Sequence, residues 1–118
     1  MKDDSVVQVK SKTFAIRIVH MYQFLTEKKK EFVLSKQVLR SGTSIGANIA
    51  EAKYSINKKE FIQKLQIALK ECAETAFWLE ILNETGYLTK REFVNIHPDC
   101  LELLRMLTSS LTTLKGKS

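Results

Sequence analysis

Chain breakers are scarce here. One proline and four glycines punctuate 118 residues, too few for the many turns that a sandwich or barrel of short strands requires. Cysteine is almost as rare. Cys72 and Cys100 stand far apart with no Cys-x-x-Cys pair, so there is no disulfide framework and the chain suits a reducing compartment. No apolar run approaches the ~20 residues of a membrane-spanning helix. The opening MKDDSVVQVK is polar, unlike a secretory leader. A cytoplasmic protein without a membrane partner is therefore expected. Acidic residues are the minority charge: 13 Asp and Glu stand against 19 Lys and Arg, a net +6. Such an excess suits nucleic acid, an acidic protein partner or plain solubility.

What the chain does have is apolar residues at helical spacing. They predict four helices in one domain spanning 1–118, at 5–28, 35–54, 57–84 and 90–115. The first carries Val7, Phe14, Ile18, Met21 and Leu25, with Asp3, Asp4 and Ser5 suited to its N-terminus. Asn57 and Glu60 read as a capping box for the third helix, and Thr89 and Glu92 as one for the fourth. Gly86 sits where a left-handed residue closes a helix. Pro98 predicts a kink in the fourth helix, or a short helix followed by a longer one. Short connections make neighbouring helices antiparallel, which gives an all-α, up-down-up-down four-helix bundle.

The stretch RSGTSIGANIAEA, residues 40–52, allows two readings. A phosphate-binding loop needs a preceding strand and, in the Walker form, a lysine after the second glycine. Glu31–Leu34 is too short and mixed for that strand, and Ala47 and Asn48 follow Gly46. As a helix, the stretch sorts cleanly. Val38, Gly42, Ile45, Ile49 and Ala52 share one stripe, and Leu39, Thr43, Gly46 and Ala50 an adjacent small one. Each interior glycine costs a helix about 1 kcal/mol, so two of them imply close approach of a neighbour. A third stripe, Gln37, Arg40, Ser44, Asn48 and Glu51, forms a polar seam that must be paired if partly buried.

SKQVLRSGTSIGANIAEA, NKKEFIQKLQIALKECAET and NETGYLTKREF together resemble the four-helix-bundle family linked to intervening sequences of bacterial large-subunit ribosomal RNA genes. The matching positions are Gln37, Arg40, Ser44, Ile45, Asn48, Ile49, Ala50, Glu51, Glu60, Phe61, Ile67, Ala68, Gly86 and Tyr87. Ala52 departs from the usual Gly, and LKECAE from a common Gly-Ser step before Glu74. The resemblance implies an up-down bundle that assembles into rings, typically of five identical subunits, in a family for which no enzyme activity is established. It is also similar to the accessory proteins of diversity-generating retroelements, which work with nucleic acid.

Assembly is expected from the residues as well. Opposite the Phe61–Leu79 stripe of the third helix lie Ile67, Phe77, Trp78 and Ile81, and the first helix carries Val9, Ile16 and Phe24 outside its core stripe. Large apolar residues this closely grouped mark a contact surface. Ile16, Phe24, Ile67, Phe77, Trp78 and Ile81 are thus expected at a subunit interface. The fourth helix, with Glu102, Ser109 and Thr113 outward, faces solvent.

Chemistry is sparse. His20 and His97 lack metal-ligand spacing, and the Glu-x-x-His pairs of di-iron bundles are missing. Cys72 and Cys100 fall in core stripes as small hydrophobes. No cofactor, metal or catalytic residue is expected. The cations cluster by bundle end: Lys28, Lys29, Lys30, Lys36, Lys90 and Arg91 at one, and Lys53, Lys58, Lys59, Lys2, Lys115 and Lys117 at the other. In a ring these repeat around an axis and attract phosphate backbones without reading sequence. No aromatic-interleaved basic motif of a base-reading module stands out. The expected function is a non-enzymatic homo-oligomer that binds RNA or DNA through basic ring faces. The alternative is a scaffold that docks an acidic protein.

Overall fold

The computed structural model describes the backbone of residues 2–116 and the side chains of 6–116. The side chains of Lys2, Asp3, Asp4, Ser5 and Lys117 lie outside the described residues. The elements are α1 (Lys2–Glu27), α2 (Leu34–Ala52), α3 (Lys58–Glu84) and α4 (Lys90–Gly116). The molecule measures 47 × 22 × 20 Å, about the length of one 27-residue helix plus its caps. Each helix packs on two neighbours: α1 on α2 and α4, α3 on α2 and α4. The α1–α4 seam is the thinnest, and it is bridged by Lys10 to Glu102 and by Arg17 to Asp99. Paired residues run in opposite directions along adjacent helices, as the up-down-up-down topology demands.

The apolar stripes converge on one core. Phe14, Ile18, Leu25, Val38, Ile45, Cys72, Leu79, Leu82, Cys100, Leu103 and Leu107 are almost completely withdrawn from water. Each large aliphatic or aromatic side chain buried this way stabilises the fold by about 1.5–3 kcal/mol. The glycines of α2 serve the α1 contact. A Cβ at Gly42 would lie 2.8 and 2.9 Å from Cγ1 and Cγ2 of Ile18. One at Gly46 would lie 3.2 Å from the backbone oxygen of Ser11. RSGTSIGANIAEA is therefore a helix thinned on one side, and the phosphate-loop reading falls.

The expected caps form. Asn57 accepts the N–H of Glu60 at 2.8 Å. In the Thr89–Glu92 box both arms close, at 2.8 and 3.1 Å. Gly86 adopts φ +86° and ends α3, with the N–H of Tyr87 and Leu88 returning to the Leu82 carbonyl. Three features differ from expectation. The α1 backbone is helical from Lys2. The α2 helix closes at Ala52 rather than 54, because Tyr54 and Ser55 bond three residues back to Glu51 and Ala52 and tighten the last turn. Pro98 does not break α4. It stands on the exposed side, four residues after exposed Val94, where the carbonyl that loses its helical donor is open to solvation.

Candidate nucleic-acid interface

The first basic end is shaped by a carboxylate. The α1 helix closes through Lys30, which takes a left-handed φ of 54°, and the N–H of Glu31 returns to the Leu25 carbonyl at 2.9 Å. This turn folds Glu31 inward, and its side chain accepts the N–H groups of Val33, Leu34 and Ser35 at 3.2, 3.0 and 2.7 Å. The Ser35 hydroxyl donates back to the Glu31 carbonyl at 2.8 Å. Glu31 thus caps α2 from outside the helix, where anions suit the positive end of the dipole. Burial pushes its acidity down, but the backbone N–H groups outweigh that and hold the carboxyl below the ordinary range. With Glu31 turned in, Lys28, Lys29 and Lys30 point out, and all three are exposed. Lys36, Lys90 and Arg91 are exposed at the same end. Glu92 is committed to the α4 box, which leaves Glu27 and Glu84 as exposed acids there.

Lys53, Lys58 and Lys59 are exposed around the 53–57 connection at the opposite end, where Lys115 also lies. A cavity of about 460 Å³ opens beside this connection, lined by residues of all four helices.

Ion pairing separates ends from flanks. Lys10, Arg17, Arg40 and Lys64 pair with carboxylates along the bundle. Among the described residues, none of Lys28, Lys29, Lys30, Lys36, Lys53, Lys58, Lys59, Lys90 and Arg91 makes an ion pair. Lys29 instead lies 5.8 Å from the Phe24 ring centroid. The sequence reading missed one companion feature. Aromatic and aliphatic side chains stand among these cations: Phe32 is 53% and Val33 70% exposed at the first end, Tyr54 82% and Ile56 85% at the second. At the second end this neighbourhood is written in KYSINKK, residues 53–59.

The polar seam is divided rather than joined. Arg40 reaches across to α3, donating to Glu71 at 3.0 Å and also to Glu74, and Glu74 accepts the indole N–H of Trp78 at 2.9 Å. Glu51 pairs with Lys64 of α3 at 2.9 Å. Ser44 and Asn48 turn to their own helix, donating to the carbonyls of Arg40 and Ser44 at 2.7 and 2.8 Å. Gln37 is exposed. No continuous chain of side-chain bonds links the stripe, because residues four apart on one helix each find a nearer carbonyl. Beside it, Ser41 and Thr75 form a buried α2–α3 hydrogen bond at 2.8 Å, a pair with no sequence signal.

The expected interface residues split as well. Ile16, Ile67 and Phe77 are 51, 44 and 51% exposed. Phe24, Trp78 and Ile81 are half-buried, and Phe24 and Trp78 rest on the core. On α1 the exposed set extends to Val6, Val9 and Val19, all facing away from the core stripe.

Comparison with known families decides the affiliation. The 23S rRNA-intervening sequence protein family matches residues 3–109. The chain belongs to that family. A crystal structure from Bacteroides thetaiotaomicron VPI-5482, a protein of unknown function from the S23 ribosomal protein family, superposes with a TM-score of 0.91 at 51% identity. The match covers 93% of this chain and 98% of that one. No curated protein matches. Within the family framework, Arg40, Ser44, Asn48 and Glu51 hold α2 against α3 or satisfy α2 itself.

The thiols face each other between α3 and α4. Their Sγ atoms lie 3.8 Å apart, and each donates to the other residue's carbonyl, at 3.1 and 3.3 Å. The hydrogen bond with Cys72, together with burial, pushes the Cys100 thiol far up. His97 stacks on Phe93 and meets Glu80 at 3.1 Å, so it is engaged away from Cys100. Among the described residues no three His, Cys, Asp or Glu side chains are grouped to hold a metal ion, and no helix is long and apolar enough to cross a membrane.

Proposed function

We propose that this protein is a non-enzymatic, cytoplasmic homo-oligomer that binds RNA or DNA through its two basic ends. The observation that supports this reading is the set of nine exposed end cations without ion pairs among the described residues, interspersed with exposed Phe32 and Tyr54. Lysines held by carboxylates have little to offer a phosphate. These have no carboxylate partner among the described residues, and the aromatics beside them supply stacking surface worth about 1–3 kcal/mol per base. Self-association rests on the apolar ladder of α1, Val6, Val9, Ile16 and Val19, and on Ile67 and Phe77 of α3. Five subunits is the number that the family resemblance implies. Standing side by side, the subunits bring each end cluster together several times around one axis, and the field of each adds to the next.

Two measurements test the proposal. Light scattering at micromolar concentration should give a mass several times 13.5 kDa, and a monodisperse monomer refutes assembly. Binding of short single-stranded and duplex RNA over a salt series should weaken steeply, since each phosphate contact contributes a slope of about 0.7–0.9. No binding at low salt removes nucleic acid and favours the acidic-protein scaffold.

A further inference from the structure

The cavity at the second end is the least explained space in the molecule. Its floor is apolar, made by Ile49, Phe61 and Leu107, and its rim carries Lys53, Lys58 and Ser55. The Ser55 hydroxyl oxygen is withdrawn from solvent and has no hydrogen-bond partner among the described residues. Buried hydroxyls are ordinarily satisfied, because an unmet one costs about 1–3 kcal/mol. Both lysines are exposed and carry no ion pair among the described residues. The cavity also meets the start of α3. There the Asn57 side chain takes only the Glu60 N–H, and first-turn N–H groups add positive potential. About 460 Å³ falls within the range of small-ligand sites and exceeds the needs of a bare inorganic anion.

An apolar floor with an aromatic ring and a cationic rim suits a flat apolar body bearing a phosphate. We propose that this cavity binds a nucleoside phosphate, with the base over Phe61, the phosphate between Lys53 and Lys58, and the Ser55 hydroxyl rotating about χ1 out of its buried position to bond the ligand. The same chemistry comes from a free mononucleotide or from one unstacked nucleotide of a single strand. The second source rests on the nucleic-acid reading above, whereas the first is independent of it. On the strand, the pocket turns a sequence-blind basic end into one that grips an extruded nucleotide, as proteins that recognise unpaired bases do.

The test is a titration of the full-length protein with AMP, GMP, CMP and UMP, followed by amide NMR shifts. Saturable shifts clustered at residues 52–61, for at least one nucleotide, are expected. The charge reversals Lys53→Glu and Lys58→Glu, at exposed positions that do not endanger folding, should together weaken binding at least tenfold. Lys28→Glu with Lys30→Glu, at the other end, should leave mononucleotide binding unchanged. The proposal is overturned if no nucleotide saturates at about 1 mM, a −4.1 kcal/mol threshold, or if the Lys53 and Lys58 reversals have no effect. A short 5′-phosphorylated oligonucleotide that competes at least tenfold better than its mononucleotide assigns the site to a strand; equal competition assigns it to the free nucleotide. Two further outcomes keep the readings apart. RNA binding that depends on Lys28–Lys30 with no mononucleotide binding sinks the pocket and leaves the nucleic-acid reading. Mononucleotide binding without RNA binding at low salt does the reverse.

Discussion

Replacing Gly42 by alanine should destabilise the bundle even though alanine is the better helix former. The substitution gains about 1 kcal/mol of helix propensity. Against this, the new Cβ sits under 3 Å from both γ carbons of Ile18 and 3.2 Å from its Cδ1. Ile18 is fully buried, and a β-branched side chain in a helix has essentially one χ1 rotamer, so neither γ carbon can swing aside. Overpacking of this kind costs about 1–3 kcal/mol. The net expectation is a loss of about 1 kcal/mol, or about 4 °C in midpoint for a domain of this size. Urea unfolding followed by the fluorescence of Trp78, the single tryptophan, at fixed protein concentration, measures it as a midpoint shift at constant slope. The decisive comparison uses Ile18→Ala as a second background. That change alone costs about 2–5 kcal/mol. Within it the clash is gone, so Gly42→Ala should turn stabilising by about 1 kcal/mol. Gly42→Ala with the same sign in both backgrounds would show that Ile18 is not what the glycine accommodates.

Three other outcomes are expected. Glu31→Gln removes the charge that caps α2 and should cost about 1–2 kcal/mol at neutral pH. Because the folded carboxyl titrates below its ordinary value, the wild-type contribution is complete above the normal carboxylate range and fades as pH falls through the lowered folded value; an equally steep acid loss in the Gln variant counts against the cap. Pro98→Ala should stabilise the bundle by about 1–3 kcal/mol by restoring a backbone bond to the exposed Val94 carbonyl, checked by thermal melting. Cys72 and Cys100 should resist alkylation in the folded protein by about 1,000-fold or more relative to denaturant, since their exposure requires opening of the core; rapid labelling at neutral pH would show that the α3–α4 seam is loose.

The helices were legible because each writes its buried face as a local period of apolar residues, and Asn57, Thr89 and Gly86 signal their turns with residues suited to each geometry. The thinning of α2 was equally plain, since only close approach explains two interior glycines. Glu31 was not legible as a cap. It lies outside the helix it serves, and nothing periodic marks a side chain that turns inward through a left-handed lysine. The seam around Arg40 was half visible. Its spacing placed five polar residues on one face, but which of them reaches α3 depends on Glu71, Glu74 and Lys64, more than ten residues away in sequence. The unbroken run of α4 through Pro98 was not legible, because a local rule for helix breaking ignores which side of the helix meets water. At the ends, lysine runs were obvious, whereas their freedom from carboxylates and the exposure of Tyr54 and Phe32 depend on the folded arrangement.

The division of charge described above makes the molecule a rod with two like poles and a nearly balanced waist, along which Lys12, Lys70 and Arg105 are the described cations without an ion pair. Two such rods repel most when they meet tip to tip and least when they lie alongside one another. Growth by stacking into columns is therefore disfavoured and lateral closure is not. At physiological ionic strength this discrimination acts over about 8 Å, so it operates at contact. Raising the salt should relax the barrier between tips, and a polyanion threaded between two tips would turn mutual repulsion into a bridge.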